Sequence, residues 1–217
     1  MKAAIVTGAT SGLGLELRKR LSATQFRVIG VSRGNHATEA TDILGSADID
    51  STVEAAFEAL PPDADFSLLV NSAGFGKFGT PGSYANSDID GVIGSNLIAA
   101  IKFSEAAIAR WKSSGSRGTI VNILSTAAFT PRGTEAVYCA AKAGLKMYVD
   151  AARLELKGSG IRVLNVYPGG MKTAFWDEAG ADTKTFMDAG EVADRILQAC
   201  EDGQSLDVTD ITINRRA

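Results

Sequence analysis

The chain has 217 residues, 45% of them hydrophobic and 22% charged, a composition typical of one globular domain rather than two. A formal net charge of -3 gives no electrostatic footprint for nucleic acid. No apolar stretch approaches the roughly 20 residues of a membrane span, and two isolated cysteines and one histidine argue against a disulfide framework or a transition-metal site. We therefore expect a cytoplasmic protein with no nucleic-acid, membrane or metal partner.

A glycine-rich turn follows the first predicted strand, at residues 3–6. The turn reads T-G-A-T-S-G-L-G over residues 7–14 and leads into a helix that ends near Ala23. A strand, a glycine turn and a helix start together aim backbone N–H groups at a phosphate. The spacing G-x-x-x-G-x-G only half matches the general dinucleotide pattern, so the turn by itself is a weak indication.

The second predicted strand, residues 27–31, ends at Ser32 and Arg33. Dinucleotide enzymes place an acid near this point for a ribose 2′-hydroxyl, or an arginine for a 2′-phosphate. No acid occurs at residues 31–34, so Arg33 favours NADP(H) over NAD(H). The alternative is a solvated surface arginine at a strand end.

The connection that begins at residue 34 has room for only one or two helical turns. The third strand that follows it is predicted to be weak and to end at residues 47–50. Asp48 either accepts a hydrogen bond from an adenine amino group or caps a helix over residues 51–60. Both alternatives are compatible with the sequence.

An apolar fourth strand, residues 66–70, runs into N-S-A-G at residues 71–74. Residues 88–111 then carry the period of a helix, with Asn96 buried in its middle. A polar amide inside a helix is more often a satisfied core residue than a functional one.

Tyr138 and Lys142 stand four residues apart in a long predicted helix, residues 134–157, so they share one helix face. A nearby cation favours the phenolate and would lower the tyrosine pKa from about 10, as a general acid/base requires. Ser125 follows the fifth predicted strand, residues 119–124, and can hydrogen-bond the same oxygen atom as Tyr138. The Tyr-x-x-x-Lys spacing alone is weak, because most such pairs are a half-buried ring and a solvated amine.

The sixth predicted strand, residues 161–167, is followed by P-G-G-M-K-T and an aperiodic segment that we predict to be a substrate lid, residues 171–189. Its aromatic side chains would cover a pocket or, equally well, pack onto the domain. A helix at residues 191–200 and a strand at 206–214 complete the chain. Alternation of strands and helices predicts a single domain over residues 1–217, an α/β Rossmann-like fold with a doubly wound, seven-stranded parallel sheet and helices on both faces.

Six motifs in order resemble the short-chain dehydrogenase/reductase family over nearly the whole chain, in its shorter, single-domain branch. They are T-G-A-T-S-G-L-G at 7–14, N-S-A-G at 71–74, Asn96, Ser125, Y-C-A-A-K at 138–142 and P-G-G-M-K-T at 168–173. Each motif is weak alone, but the six in register are specific.

The resemblance implies that Tyr138 exchanges a proton with the reacting oxygen and that Lys142 lowers the tyrosine pKa and holds the nicotinamide ribose. Ser125 would position the substrate oxygen, and Asn96 would hold a water molecule in a proton relay. Cofactor contacts are implied for Gly8, Thr10, Ser11, Gly12, Leu13, Gly14, Ser32, Arg33, Asp48, Ile49, Asn71, Ala73, Gly74, Tyr138, Lys142, Pro168, Gly169, Met171 and Thr173. The resemblance also implies a homodimer or homotetramer.

We therefore expect an NADP(H)-dependent oxidoreductase that acts on a carbonyl or secondary alcohol. Phe129, Tyr167, Phe175 and Trp176 near the pocket suggest a small, apolar substrate. The alternatives are a cofactor-binding scaffold or redox sensor of the same fold without turnover, and a nucleotide-sugar epimerase, for whose additional substrate domain 217 residues are too few. A complete set of catalytic roles favours the enzyme.

Overall fold

The computed structural model describes residues 1–33, 48–201 and 207–216, together with the backbone of residues 42–45. Its strands are β1 (Lys2–Thr7), β2 (Phe26–Arg33), β3 (Asp42–Gly45), β4 (Asp65–Asn71), β5 (Gly118–Ile123), β6 (Ile161–Pro168) and β7 (Asp210–Ile213). Its helices are α1 (Gly12–Ser22), α2 (Ile49–Glu58), α3 (Asn86–Ile93), α4 (Ala99–Ser114), α5 (Ala136–Leu156) and α6 (Ala189–Glu201). Short 3₁₀ turns occur at Thr126–Ala128 and Ala174–Trp176.

The strands form one sheet in the order β3-β2-β1-β4-β5-β6-β7, and every neighbouring pair is parallel. The chain winds outwards from β1 in one direction and from β4 in the other. A crevice therefore opens between the carboxyl ends of β1 and β4, where α/β sheets of this kind bind their ligands. The predicted seven-stranded, doubly wound parallel sheet is confirmed.

Helices cover both faces of the sheet because successive strand residues point to opposite sides. Ile5 packs with α2, α4 and α5, whereas its neighbour Val6 packs with α1 and α6. Trp111 anchors the first of these layers, since its ring is fully buried and its Nε1–H donates a hydrogen bond to the Phe66 carbonyl at 2.6 Å. The result is two apolar layers that hold the sheet edge rigid.

Two predicted boundaries at the sheet edges need correction. The third strand ends at Gly45 rather than at residues 47–50, because Asp48 already caps α2 through its side chain. The final strand begins at Asp210 rather than Leu206. Predictions for the connection at residues 34–41, and for residue 206 itself, lie outside the described residues.

The predicted helix over residues 88–111 is confirmed, and a π-helical turn, Gly94–Ile98, interrupts its regular α-helical geometry between α3 and α4. The Asn96 side chain makes the local hydrogen bonds: its Nδ2 donates to the Val92 carbonyl at 3.0 Å and the Phe75 carbonyl at 2.8 Å. Such turns are inserted where a side chain must be re-aimed, and they are frequent at functional sites.

The combined helical run Asn86–Ser114 is 29 residues long, and its most apolar 18-residue window has a mean hydropathy of 1.4, which we did not anticipate from the sequence. Length and composition alone would allow it to cross a membrane. However, 44% of that window is buried inside the protein, and Phe103 and Trp111 belong to the sheet core. We assign the run as a core helix.

Candidate active site

A cavity of about 330 Å³ lies at the carboxyl ends of β1, β4, β5 and β6. It brings together most of the predicted site residues: Gly8, Ser11, Gly12, Leu13, Gly14, Gly74, Asn96, Ser125, Tyr138, Lys142, Pro168, Gly169, Met171 and Thr173. The predicted residues outside its lining are Thr10, Ser32, Arg33, Asp48, Ile49, Asn71 and Ala73. The cavity thus joins segments that are up to 168 residues apart, from Gly8 to Trp176.

The glycine turn after β1 approaches neighbouring backbone too closely for a side chain. A Cβ at Gly14 would lie 2.2 Å from the Gly8 carbonyl oxygen, and one at Gly8, whose φ is +69°, would lie 2.9 Å from the Ala73 Cα. Within the described residues, Ser11 makes no side-chain capping bond at the start of α1. The first N–H groups of α1 therefore face the cavity without a side-chain cap, as an anion site requires.

Beside the turn, the ends of β1 and β2 form a polar edge. The Thr10 and Ser32 hydroxyl oxygens lie 2.7 Å apart. Arg33 is exposed, and its guanidinium carbon lies 4.7 Å from the centroid of the Phe75 ring, which itself lines the cavity. The aromatic face holds the cation at the mouth of the crevice rather than free in solvent.

Asp48 serves as the N-cap of α2. Its carboxylate accepts hydrogen bonds from the Asp50 N–H at 3.1 Å and the Ser51 N–H at 3.3 Å. Ile49 begins the helix and packs against the core. The capping alternative is the one observed, and an adenine contact by these residues stays a prediction.

Asn71 is a structural residue, contrary to its predicted place in the cofactor groove. It is 3% exposed, and its Nδ2 donates to Asn122 Oδ1 at 2.9 Å and Ser104 Oγ at 3.0 Å, tying β4 to β5 and α4. The Ala73 N–H is likewise turned to the Thr7 hydroxyl, at 3.0 Å. Of this motif, Ser72 and Gly74 are the residues that line the cavity.

Tyr138 lies in the cavity wall with 8% of its surface exposed. Burial raises the pKa of its phenol, and the nearby Ser125 hydroxyl acts in the opposite direction. Ser125 is held in place because its Oγ accepts the Ala127 N–H at 3.1 Å.

Lys142 does not produce the predicted decrease in the Tyr138 pKa. Its Nζ donates to the Ile123 carbonyl at 2.8 Å and lies 5.6 Å from the centroid of the tyrosine ring. Burial lowers the pKa of Lys142 itself to about 8. Because removal of the phenolate from water outweighs the nearby groups, the predicted direction for Tyr138 is wrong in this structure.

Asn96 reaches the cavity through the π-helical turn. Both of its Nδ2 hydrogens serve nearby carbonyls, whereas its Oδ1 is buried and has no hydrogen-bond partner among the described residues. A Cβ at Gly74 would lie 2.2 Å from this oxygen. Because residue 74 is a glycine, there is space for the Asn96 Oδ1, an acceptor that still lacks a hydrogen-bond donor among the described residues.

The segment over residues 171–189 lies across the cavity. Its ends are joined by a bridge between Met171 and Met187, with a hydrogen bond from the Lys172 N–H to the Met187 carbonyl at 2.9 Å. Between them, the Phe175 ring lies 5.3 Å from the Tyr138 ring and 5.0 Å from the Trp176 ring. Phe175 and Trp176 line the cavity, as predicted.

Two other aromatic residues predicted near the pocket do not line it. Phe129 is 54% exposed and packs on Tyr167, with ring centroids 5.3 Å apart. The Tyr167 hydroxyl donates to Asp210 at 2.9 Å, which turns it towards the sheet edge. These residues give no support to an apolar pocket.

Two charged residues in the cavity wall, Arg132 and Glu135, were missed by the sequence reasoning. Arg132 Nη2 donates to the Thr126 hydroxyl at 2.5 Å, and Glu135 is 8% exposed. Burial raises the pKa of Glu135, and the nearby Arg132 opposes this shift. The available signal was two charges in an otherwise small and apolar stretch just before Tyr138.

Sequence and structure comparisons agree with this geometry. The family pattern described as short chain dehydrogenase matches residues 2–184. Ketoacyl reductase HetN from Nostoc sp. is 31% identical over 184 residues, a match that covers 77% of this chain and 63% of that protein's length. The chain thus spans less than two thirds of this relative.

Solved structures extend the similarity over the full fold. A short-chain dehydrogenase/reductase from Vibrio parahaemolyticus is 35% identical, with a TM-score of 0.83 over 99% of this chain and 97% of that one. A short-chain dehydrogenase from Sphingobium yanoikuyae in complex with NADPH is 26% identical, with a TM-score of 0.82 over 97% and 87%. Structures of similar fold hold NADPH, NADP+ or NADH, so the fold does not decide the cofactor. The chain belongs to the short chain dehydrogenase family, oxidoreductases that act on CH–OH groups.

Proposed function

We propose that the protein is an NADP(H)-dependent oxidoreductase that interconverts a carbonyl and a secondary alcohol on a small substrate with an apolar flank. One observation carries the proposal: Tyr138, Ser125 and the buried Lys142, one helical turn from Tyr138, line a single cavity that begins at a glycine turn. The cofactor-binding scaffold without turnover would need no such proton donor.

The turn fits the diphosphate of a dinucleotide, because the Gly8–Gly14 contact lets backbone N–H groups come close to an anion. Ser11, Gly12, Leu13 and Gly14 would hold this group, and Met171 and Thr173 would contact the carboxamide. Lys142 would bind the ribose. When bound, the nicotinamide supplies or accepts the hydride.

In the reduction direction, the Tyr138 hydroxyl donates its proton to the carbonyl oxygen as the carbonyl carbon gains a hydride. The carbonyl π electrons become the O–H bond, so one proton and one hydride yield one alcohol. The phenol carries its proton at neutral pH and can act as the donor, while burial, which raises its pKa, makes it a weaker acid than a free tyrosine. Ser125 would orient the oxygen, and Asn96 Oδ1 would accept a hydrogen bond from a water molecule that returns the proton.

The NADP(H) preference is supported by Arg33. The strand end carries no acid at residues 31–33, and the guanidinium stands over Phe75 at the crevice mouth, where it can pair with a 2′-phosphate. Thr10 and Ser32 offer hydroxyl groups to the same phosphate.

The segment 171–189 would act as the substrate lid. Phe175 and Trp176 supply the apolar wall, and the Phe175 ring shields Tyr138 from water. The lid contact supports the predicted apolar flank of the substrate.

A calorimetric titration with NADPH and NADH, on the wild type, Arg33→Ala and Tyr138→Phe, tests the proposal. We expect NADPH to bind more tightly than NADH, with at least a tenfold loss for NADPH alone in Arg33→Ala. Tyr138→Phe should bind NADPH as the wild type does, while reduction of ketones falls about 10²- to 10⁴-fold, as for loss of a general acid. Equal binding of both cofactors would remove the Arg33 assignment, and undiminished turnover by Tyr138→Phe would remove the mechanism.

A further inference from the structure

Glu135 is a buried carboxylate that the proposed mechanism does not use. It lines the cavity at 8% exposure, yet within the described part of the chain its side chain has no hydrogen-bond donor and no ion-pair partner. Arg132 lies near enough to oppose the increase in the Glu135 pKa, but the hydrogen bond that Arg132 donates goes to Thr126. In the described part of the chain no Glu135 oxygen is both buried from water and unpartnered, so the carboxylate opens onto the cavity, where a bound molecule can reach it.

The backbone holds Glu135 at this place. Its neighbour Thr134 has a φ of +61°, a conformation that is uncommon for a β-branched residue. The Thr134 carbonyl accepts hydrogen bonds from the Gly79 N–H at 2.8 Å and the Tyr84 hydroxyl at 2.9 Å. Glu135 therefore precedes α5 in a fixed orientation, three residues before Tyr138.

Glu135 and Tyr138 line the same cavity. The Glu135 charge acts on the Tyr138 phenol, so the carboxylate lies on the side of the cavity where the reacting oxygen would bind. The carbon next to the reacting one is the nearest part of a substrate that could present a group to Glu135.

The charged residues around the cavity limit the kind of group that a substrate can place beside Glu135. Arg132 and Lys142 are cations, and Glu135 is the acid, among the described residues of the lining. An ammonium group would be attracted by Glu135 but repelled by two cations, and a carboxylate would be attracted by the cations but repelled by Glu135. A hydroxyl can donate to Glu135 and accept from Arg132 without adding charge.

We propose that Glu135 is a specificity-determining residue that selects substrates with a hydroxyl on the carbon next to the reacting one, that is, α-hydroxy ketones and vicinal diols. This inference rests on the proposed oxidoreductase function. In each reduction one NADPH and one proton convert the ketone to the diol, with the hydride on carbon and the proton on oxygen.

Three ketones of matched shape test it: 3-hydroxy-2-butanone, 3-methyl-2-butanone and 3-amino-2-butanone. For the wild type with NADPH, we expect kcat/KM for the hydroxy ketone to exceed that for the methyl ketone by about 10-fold or more, since a hydrogen bond to a charged group is at stake. Glu135→Leu should bring that ratio to about 1, and Glu135→Gln, whose amide oxygen still accepts, should keep part of it.

The ratio between two substrates on one variant cancels any effect of Glu135 on the Tyr138 pKa. Glu54→Leu, which replaces an exposed glutamate on α2, is the matched control and should keep the wild-type ratio of kcat/KM for the hydroxy and methyl ketones. NADPH binding by each variant shows that it is folded.

Equal turnover of the hydroxy and methyl ketones by the wild type would overturn the inference and leave the oxidoreductase proposal standing. Preference for the amino ketone would overturn it in favour of a cationic substrate. Failure to reduce any of the three ketones, with NADPH bound, would count against both the inference and the proposed function.

Discussion

Replacement of Gly14 by alanine tests how the glycine turn is packed. The new Cβ would lie 2.2 Å from the Gly8 carbonyl oxygen and 3.2 Å from Ser72 Oγ. The first neighbour is backbone and cannot move away by changing a rotamer, so the turn itself must shift by about 1 Å to restore an ordinary contact. Overpacking of this size costs about 1–3 kcal/mol of unfolding free energy.

The same shift moves the N–H groups proposed to hold the cofactor diphosphate. A misplacement of about 1 Å can reduce activity by a factor of about 100, and we expect the Kd for NADPH to rise by a similar factor, which corresponds to about 2.7 kcal/mol. Urea denaturation measures the stability, and calorimetric titration with NADPH measures the affinity.

Gly133→Ala is the matched control, because its φ lies outside the left-handed range and a Cβ there meets no described atom within 4 Å. We expect it to retain both the stability and the affinity of the wild type. A Gly14→Ala variant that is as stable as the wild type and binds NADPH equally well would show that the turn is not packed in this way.

Three further predictions follow from the burial or exposure of individual side chains. Burial lowers the pKa of Lys142 in the folded state to about 8, from an ordinary value of 10.5. Between these values the unfolded chain binds more protons than the folded chain, so the stability of the wild type rises with pH. In urea titrations, the stability of Lys142→Met should therefore fall by about 3 kcal/mol relative to the wild type as pH rises from 8 to 10.5, and a stability difference that does not change with pH would refute the assignment. Phe175→Ala should let water reach Tyr138 and lower its pKa, so the basic limb of the pH–rate profile for reduction, where the phenol loses its proton, moves to lower pH; an unmoved limb would show that Phe175 does not shield the phenol. Met147 and Leu154 are 68% and 78% exposed on α5. If this face forms the predicted homodimer or homotetramer, Leu154→Glu should shift the protein towards monomer in light scattering. A wild-type protein that is itself monomeric in light scattering would contradict the predicted assembly.

The sequence by itself determined the family and the sheet, and it indicated candidate site residues that the structure brings to one cavity, because these depend on short-range features. Tyr138 and Lys142 share a helix face at a spacing of four, and the glycine turn of residues 7–14 connects a strand to a helix over eight residues. Local hydrogen bonding and the helical period govern both features.

Only the tertiary structure decided how these residues are surrounded. The Tyr138 pKa is raised because distant segments bury the phenol, and Asn71 is turned inward by partners on β5 and α4. Glu135 lines a cavity whose wall also contains Phe175 and Trp176, about 40 residues further along the chain. Burial and charge at a site depend on segments far apart in the chain, and no local pattern encodes which of them meet. Motifs therefore pointed to the proposed chemistry, whereas long-range packing set the pKa of Tyr138 and the polarity of the cavity wall.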